Sequence, residues 1–321
     1  MPKILDCTLR DGGLVNDSNF SADFARAALD ACEAAGIDIV EVGFRNGENF
    51  FSPDKFGKLR FCKESDLREI FGDKPRKTKL CALADAGKSA PFPPRDKSVI
   101  SRMRCAFYAE NIDKAVELLE SAADDGYETS ACMMAAPQIE ESKRTKCLER
   151  LAESKIDTIY LMDSFGTLTP AEAERLCGQY KKICAESGKL FGAHFHNNLQ
   201  CAFANTLAAI NAGADTVDAT IGGLGKGAGN CPTELLSGFL RGAQTSVPLA
   251  EMAQKYVEPI KQQYKCGFYP QYMLTALLKI HPRPAMQYSA EENPPSLSEF
   301  FGEIKSLSNQ ARQACNPNTP K

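Results

Sequence analysis

Short apolar runs alternate with helix-patterned segments along most of the chain. Lys3 to Thr8 is the first apolar run, and Leu9-Arg10-Asp11-Gly12-Gly13 after it carries a turn signature with an adjacent cation and carboxylate. Ser21 then caps a helical pattern from about Ala22 to Ala35, with apolar positions at Phe24, Ala27, Leu29 and Cys32, and Gly36 ends it. Ile37 to Phe44 is apolar apart from Asp38 and Glu41, as expected of a strand covered on both faces. Beyond a polar loop (Asn46 to Gly57), the pattern predicts a short helix near Glu64 to Phe71 and strands at Lys79 to Ala84 and Met103 to Phe107. Next come a helix over Asn111 to Asp125, a strand over Glu128 to Met134 and a helix over Ile139 to Glu153. Asp157 to Met162 leads into a helix from Thr169-Pro170 to Glu186, with proline in the first turn. Leu190 to His196, a helix over Leu199 to Ala212 and Asp215 to Thr220 complete the series.

Eight apolar strand candidates separated by helices imply parallel strands joined by crossover helices, and about 240 residues is the usual size of an α/β (β/α)8 TIM barrel. A doubly wound open sheet would place a Gly-rich turn after the first strand, and Asp11-Gly12-Gly13 is too short and too acidic for that. The expected organisation is a catalytic barrel over 1–245, a helical extension over 246–307 and a flexible tail over 308–321. The extension holds a helical stretch, Leu249 to Tyr264, and an aromatic, proline-rich passage that includes Phe268, Tyr272 and His281.

Composition narrows the partners. Thirty-eight Lys and Arg against 41 Asp and Glu give a net charge of -3, so no global field favours nucleic acid or an anionic membrane. Thirteen cysteines without a C-x-x-C pair read as reduced thiols, several of them in apolar runs. The start, Met-Pro-Lys, carries no signal-peptide pattern, and no apolar stretch approaches bilayer length, so a cytoplasmic address is expected.

The chain has only three histidines, and two of them, His194 and His196, stand two residues apart in Ala193-His194-Phe195-His196-Asn197-Asn198. On a strand this spacing puts both imidazoles on one face, which invites a metal, although an isolated pair is also compatible with one packed ring and one turn cap. In a closed barrel Arg10 and Asp11 follow strand one, the histidines end strand seven, and the loop Ile221 to Asn230 follows strand eight, so all share one sector of the C-terminal rim. Two imidazoles and a carboxylate hold a divalent metal with positions left open for the carboxylate and ketone of a 2-oxo acid. The mixed donor set favours Mn2+ or Mg2+ over Zn2+. Arg10 is then placed to stabilise an enolate, and its bland alternative is an ordinary salt bridge. Gly222 to Asn230 has five glycines in nine residues and can approach a ligand closely, a phosphate included. Asn230 offers either a fourth ligand oxygen or a cap for the helix starting at Cys231-Pro232.

These segments, Asp6 to Gly13, Gly192 to Asn198 and Gly223 to Asn230, together resemble the DRE-TIM metallolyase superfamily, and within it most nearly the 4-hydroxy-2-oxovalerate aldolases, over roughly residues 3 to 240. The resemblance implies Asp11, His194 and His196 as metal ligands with Asn230 as a further one, and Arg10 as the catalytic group at the enolate. It also implies Gly12 and Ser164, the latter in Asp163-Ser164-Phe165-Gly166, on the substrate side. The expected activity is cleavage or formation of a C–C bond in a 4-hydroxy-2-oxo acid, with a 2-oxo acid and an aldehyde as partners. One position departs: the aldolases carry an acid/base histidine shortly after the Arg-Asp pair, where this chain has Leu14. Glu41, Cys231, a C-terminal tyrosine, His281 or metal-bound water are the replacements open. Claisen condensation with an acyl-CoA, an iron-dependent oxygenase and a sugar-acid binder without turnover are the rival functions, and a homodimer or an aldehyde dehydrogenase partner is left open.

Overall fold

Every predicted strand forms. In the computed structural model, which describes residues 1–314, the strands are β1 (Lys3–Asp6), β2 (Ile39–Phe44), β3 (Lys79–Asp85), β4 (Arg102–Phe107), β5 (Glu128–Met133), β6 (Thr158–Asp163), β7 (Leu190–Phe195) and β8 (Thr216–Ala219). They pair in parallel in chain order, and β8 returns to β1 with Ile4 opposite Val217, which closes the barrel. Crossover helices cover the strands, so β2, β4 and β6 are buried along their whole length and read as apolar runs. Helix starts follow local chemistry. The Ser21 side chain accepts from the Phe24 backbone N–H at 3.1 Å, and Thr169 with Glu172 forms a reciprocal capping box before Pro170–Glu186.

Two local expectations change. The Arg-Asp segment expected as a turn is a helical turn, Thr8–Asp11, continued by a 3-10 turn at Gly12–Leu14, and all four residues of the first are buried. The cap role for Asn230 does not hold: the helix Thr233–Arg241 begins after Pro232, and the Asn230 side chain points instead to Asp11.

The barrel interior is unusual in its chemistry. Barrel layers are commonly filled by branched aliphatic residues, four from alternate strands. Here the even strands supply Glu41, Arg104, Tyr160 and Asp218. Arg104 lies 3.1 Å from Glu41 and 2.7 Å from Asp218, with its guanidinium 4.2 Å above the Tyr160 ring. Gly192 on β7 makes room for this layer, because a Cβ there would lie 2.4 Å from the Tyr160 ring.

Past the barrel, a helical stretch from Val247 to Gln263 with a π turn at Ala253–Val257 lies on the outer helices, and Leu249, Met252 and Val257 join the main core. Helices Pro270–Leu277, Arg283–Ala290 and Leu297–Ala314 form a separate small core around Tyr272, Ala285, Phe300 and Ile304. The tail expected from Ser308 begins inside the last of these helices, and 315–321 lie outside the described residues. Lys279–Glu172 at 2.6 Å and the His281 ring 5.0 Å from that of Phe165 hold this segment over the C-terminal mouth of the barrel.

Candidate metal centre and its surroundings

Asp11 emerges from the helical turn after β1, His194 from β7 and His196 from the position just after it. The three ligand atoms lie within 4.8 Å of one another, and all three residues are buried. Asp11 Oδ2 is 3.7 Å from Nε2 of each histidine. His194 Nδ1 lies 3.1 Å from Asp218 Oδ2, and since a carboxylate only accepts, Nδ1 carries the proton. That leaves the Nε2 lone pair of His194 buried, unpartnered and facing a carboxylate oxygen. The arrangement is repulsive without a cation, so the residues fit a divalent metal. Burial lowers His196 to a pKa of about 4 against the pull of Asp11, so its ring is neutral at pH 7 and able to ligate. Burial alone would raise Asp11, but His196, Arg10, His194 and Asn230 together hold it well below the usual carboxylate range.

Arg10 is fixed on two sides. Nε donates to Glu41 at 2.6 Å and Nη1 to Asp11 at 2.5 Å, while Nη2 is buried with no protein partner. Asn230 Nδ2 donates to Asp11 Oδ1 at 3.1 Å, and its Oδ1 is buried and unpartnered, a further oxygen at the site. The loop reaches Asp11 because residue 225 is glycine: a Cβ there would lie 2.6 Å from Asp11 Oδ1 and 2.1 Å from Asn230 Nδ2. Thus Arg10, Asp11, His194, His196 and Asn230 are brought together. Gly12 packs on Leu224, where a Cβ would lie 2.8 Å away. Ser164 Oγ accepts from the Ala135 backbone N–H at 3.0 Å and so fixes the loop after β5.

Arg104 and Asp218 were missed from sequence. With Glu41 they extend the site into a closed ring of ion pairs and polar contacts: Asp11, Arg10, Glu41, Arg104, Asp218, His194. Burial alone would raise Asp218, yet Arg104 and the His194 hydrogen bond bring it below its ordinary value. Charged residues inside strands otherwise read as fully covered were the available signal.

Of the proposed replacements for the histidine absent at Leu14, Glu41 is locked between two arginines, and burial pushes the Cys231 thiol up to about 12. His281 shares a cavity with Leu14, but its Nδ1 accepts from the Arg283 backbone N–H at 2.9 Å, so Nε2 bears the proton and acts as a donor.

Comparisons with known proteins give the family and the fold. A family model described as HMGL-like matches residues 98–256. The 4-hydroxy-2-oxovalerate aldolase of Geobacillus genomosp. 3 is 30% identical over 271 residues, which is 81% of this chain and 79% of that protein. The chain belongs to the family of the 4-hydroxy-2-oxovalerate aldolases. The Thermus thermophilus relative of the same name is 31% identical, covering 74% of this chain and 68% of its own. Among solved structures, the N-terminal domain of a candidate aldolase from Bacteroides vulgatus superposes with TM-score 0.74 at 26% identity, covering 95% of this chain and 99% of that one. The carboxyl transferase domain of Rhizobium etli pyruvate carboxylase, 17% identical with TM-score 0.69 over 98% of this chain and 54% of that one, shares the fold. No described helix is long and apolar enough to cross a membrane.

Proposed function

We propose that this barrel is a metal-dependent carbon–carbon lyase that cleaves or forms 4-hydroxy-2-oxo acids, with a pyruvate-type 2-oxo acid and an aldehyde as the other side of the reaction. The observation that carries it is the convergence of Asp11, His194 and His196 beside an arginine whose Nη2 has no protein partner. Asp11, His194 and His196, with Asn230 Oδ1 as a further donor, would hold the metal, and Mn2+ or Mg2+ suits this mixed set better than Zn2+. A divalent metal there supplies Lewis acidity to the carbonyl of the bound 2-oxo acid. In the cleavage direction the C4 hydroxyl gives its proton to solvent water as the C3–C4 bond breaks, the electron pair of that bond moves toward the C2 oxygen, C4 becomes the aldehyde carbonyl, and the enolate then takes a proton from water at C3. Arg10 Nη2–H donates to that C2 oxygen as enolate charge collects on it. Because Glu41 and Asp11 already fix the guanidinium plane, this donor needs no reorganisation when the charge appears. Asp218 holds His194 in the tautomer that presents Nε2. Gly12 and Ser164 are assigned to the substrate side of this rim. Every cysteine among the described residues is free, which supports a reducing, cytoplasmic address.

The test is pyruvate release from a panel of 4-hydroxy-2-oxo acids with Mn2+, with and without chelator, in the wild type, Arg10→Ala and His194→Ala. Chelator-insensitive release, or full activity in both variants, overturns the assignment.

A further inference from the structure

We propose that the aldehyde half of the substrate carries an anionic group, a carboxylate or a phosphate, and that the cavity between the barrel mouth and the C-terminal helices receives it; this rests on the aldolase reading above. The cavity has a volume of about 660 Å3. Its barrel wall includes Leu14, three residues beyond Asp11, and Lys226, whose backbone N–H donates to Asp11 Oδ1 at 3.3 Å. Two of its lining residues therefore come from segments at the metal centre. His281, in the connection between two C-terminal helices, and Arg283, at the start of the second, line it as well.

Its charge is one-sided. Arg60, Lys88, Lys226 and Arg283 line it against a single carboxylate, Asp85, which already accepts from Asn46 at 2.8 Å. Arg60 is only 8% exposed, is stacked over the rings of Phe44 and Phe51 at 4.2 and 4.0 Å, and reaches Asp85 at no closer than 3.9 Å. Its Nε is buried without a partner. A guanidinium held this firmly and left this incomplete is arranged for an oxyanion.

A second observation agrees. Lys226 Nζ lies 3.4 Å from His281 Nε2. Since His281 Nδ1 is occupied by the Arg283 N–H, the ring turns its own N–H toward the lysine, so donor faces donor. An oxyanion accepting from both groups turns this apposition into two charge-assisted hydrogen bonds. A neutral two-carbon aldehyde would satisfy none of these donors and fill little of the volume.

The experiment has three arms, with Arg283→Gln and Lys88→Gln as variants because both side chains are exposed and lie outside the metal centre. Pyruvate methyl deuterium exchange with Mn2+ tests enolate formation without any aldehyde, and its absence counts against the aldolase reading alone. Aldol addition then compares glyceraldehyde 3-phosphate with glyceraldehyde, and succinic semialdehyde with butanal. The expected result is a kcat/KM preference of about tenfold or more for a charged partner. It falls by a similar factor in Arg283→Gln, while the neutral aldehydes change less than about threefold. A preference in the first pair alone identifies phosphate, and in the second alone carboxylate. Equal use within both pairs overturns the proposal. Calorimetric titration of inorganic phosphate and of succinate decides it independently of turnover. Binding weakened in both variants supports the cavity as an anion site, and no binding to the wild type, or binding unchanged in the variants, overturns it.

Discussion

Two charged regions lie one above the other at the mouth of this barrel, and they are built on opposite principles. In the floor, each of Asp11, Glu41 and Asp218 has a guanidinium within 2.5 to 3.1 Å, and the side chains concerned are at most 5% exposed. In the cavity above, Arg60, Lys88, Lys226 and Arg283 outnumber the one carboxylate they share. Solvent access explains the difference. A charge removed from water must find its partner within the chain, whereas the exposed Lys88 and Arg283 can stay incompletely paired in water until a ligand arrives. Floor substitutions are therefore expected to damage chemistry or folding, and rim substitutions to act on ligand and on pH.

The largest effect is expected at Arg10 Nη2, an unpartnered donor at the top of the floor. Chelation should reduce activity to background with Mn2+ restoring it, and Arg10→Ala with metal present should lower kcat by about 10^2 to 10^3-fold. Pyruvate release under saturating substrate measures both. An Arg10→Ala enzyme retaining more than about a tenth of wild-type kcat breaks the assignment of Nη2 to the developing enolate.

Arg104→Met probes the same floor through stability. It leaves Asp218 without its closest cationic partner and takes one of two from Glu41, so unfolding by urea should show a loss of about 3 to 5 kcal/mol. By contrast, Arg283→Gln at the rim should stay within about 0.5 kcal/mol of the wild type. Equal losses in the two would erase the distinction drawn here. Smaller again is Asp218→Asn. The amide can still contact His194 but no longer enforces the Nδ1–H tautomer, so Mn2+ affinity should fall by about 10 to 100-fold while far-ultraviolet dichroism is unchanged.

The floor was only half legible in the sequence, and the reason is physical. Strand and helix periods located the barrel, and its closure follows from parallel strands joined by right-handed crossovers, which is why Asp11 could be set beside His194 and His196 across more than 180 residues. Arg104 and Asp218 stayed hidden because an interior layer depends on which strands alternate around the barrel, and the period-two pattern of one strand does not distinguish inward from outward faces when both are buried. Asn230 was left between ligand and cap, and the Asp11 contact that takes it away from the cap depends on the path of a glycine loop, a long-range feature with no local code. The rim was less legible still. His281 stood out only as the third histidine, and its place depends on a short helical segment folding back over the mouth, with Arg283 pinning its ring.

That pinned ring gives the rim its smallest and most specific signature. Burial first, then Lys226 and Arg283, bring the half-buried His281 from its usual 6.5 down to about 4. Above pH 6.5 the ring is neutral in folded and unfolded chains alike, and the full stability is present. As pH falls from 6.5 toward 4, the unfolded chain takes up the proton first, so this group removes stability across that window. With the discount for its solvent exposure, the loss should be about 1 kcal/mol. It is read as the difference between wild type and His281→Gln in urea unfolding at pH 7 and pH 4.5. Saturating phosphate should shrink the difference, because an anion between His281 and Lys226 favours the charged ring. A difference that is flat with pH, or that ignores phosphate, would mean that the cations above the barrel do not act on this ring, and the contrast with the self-paired floor would lose its rim.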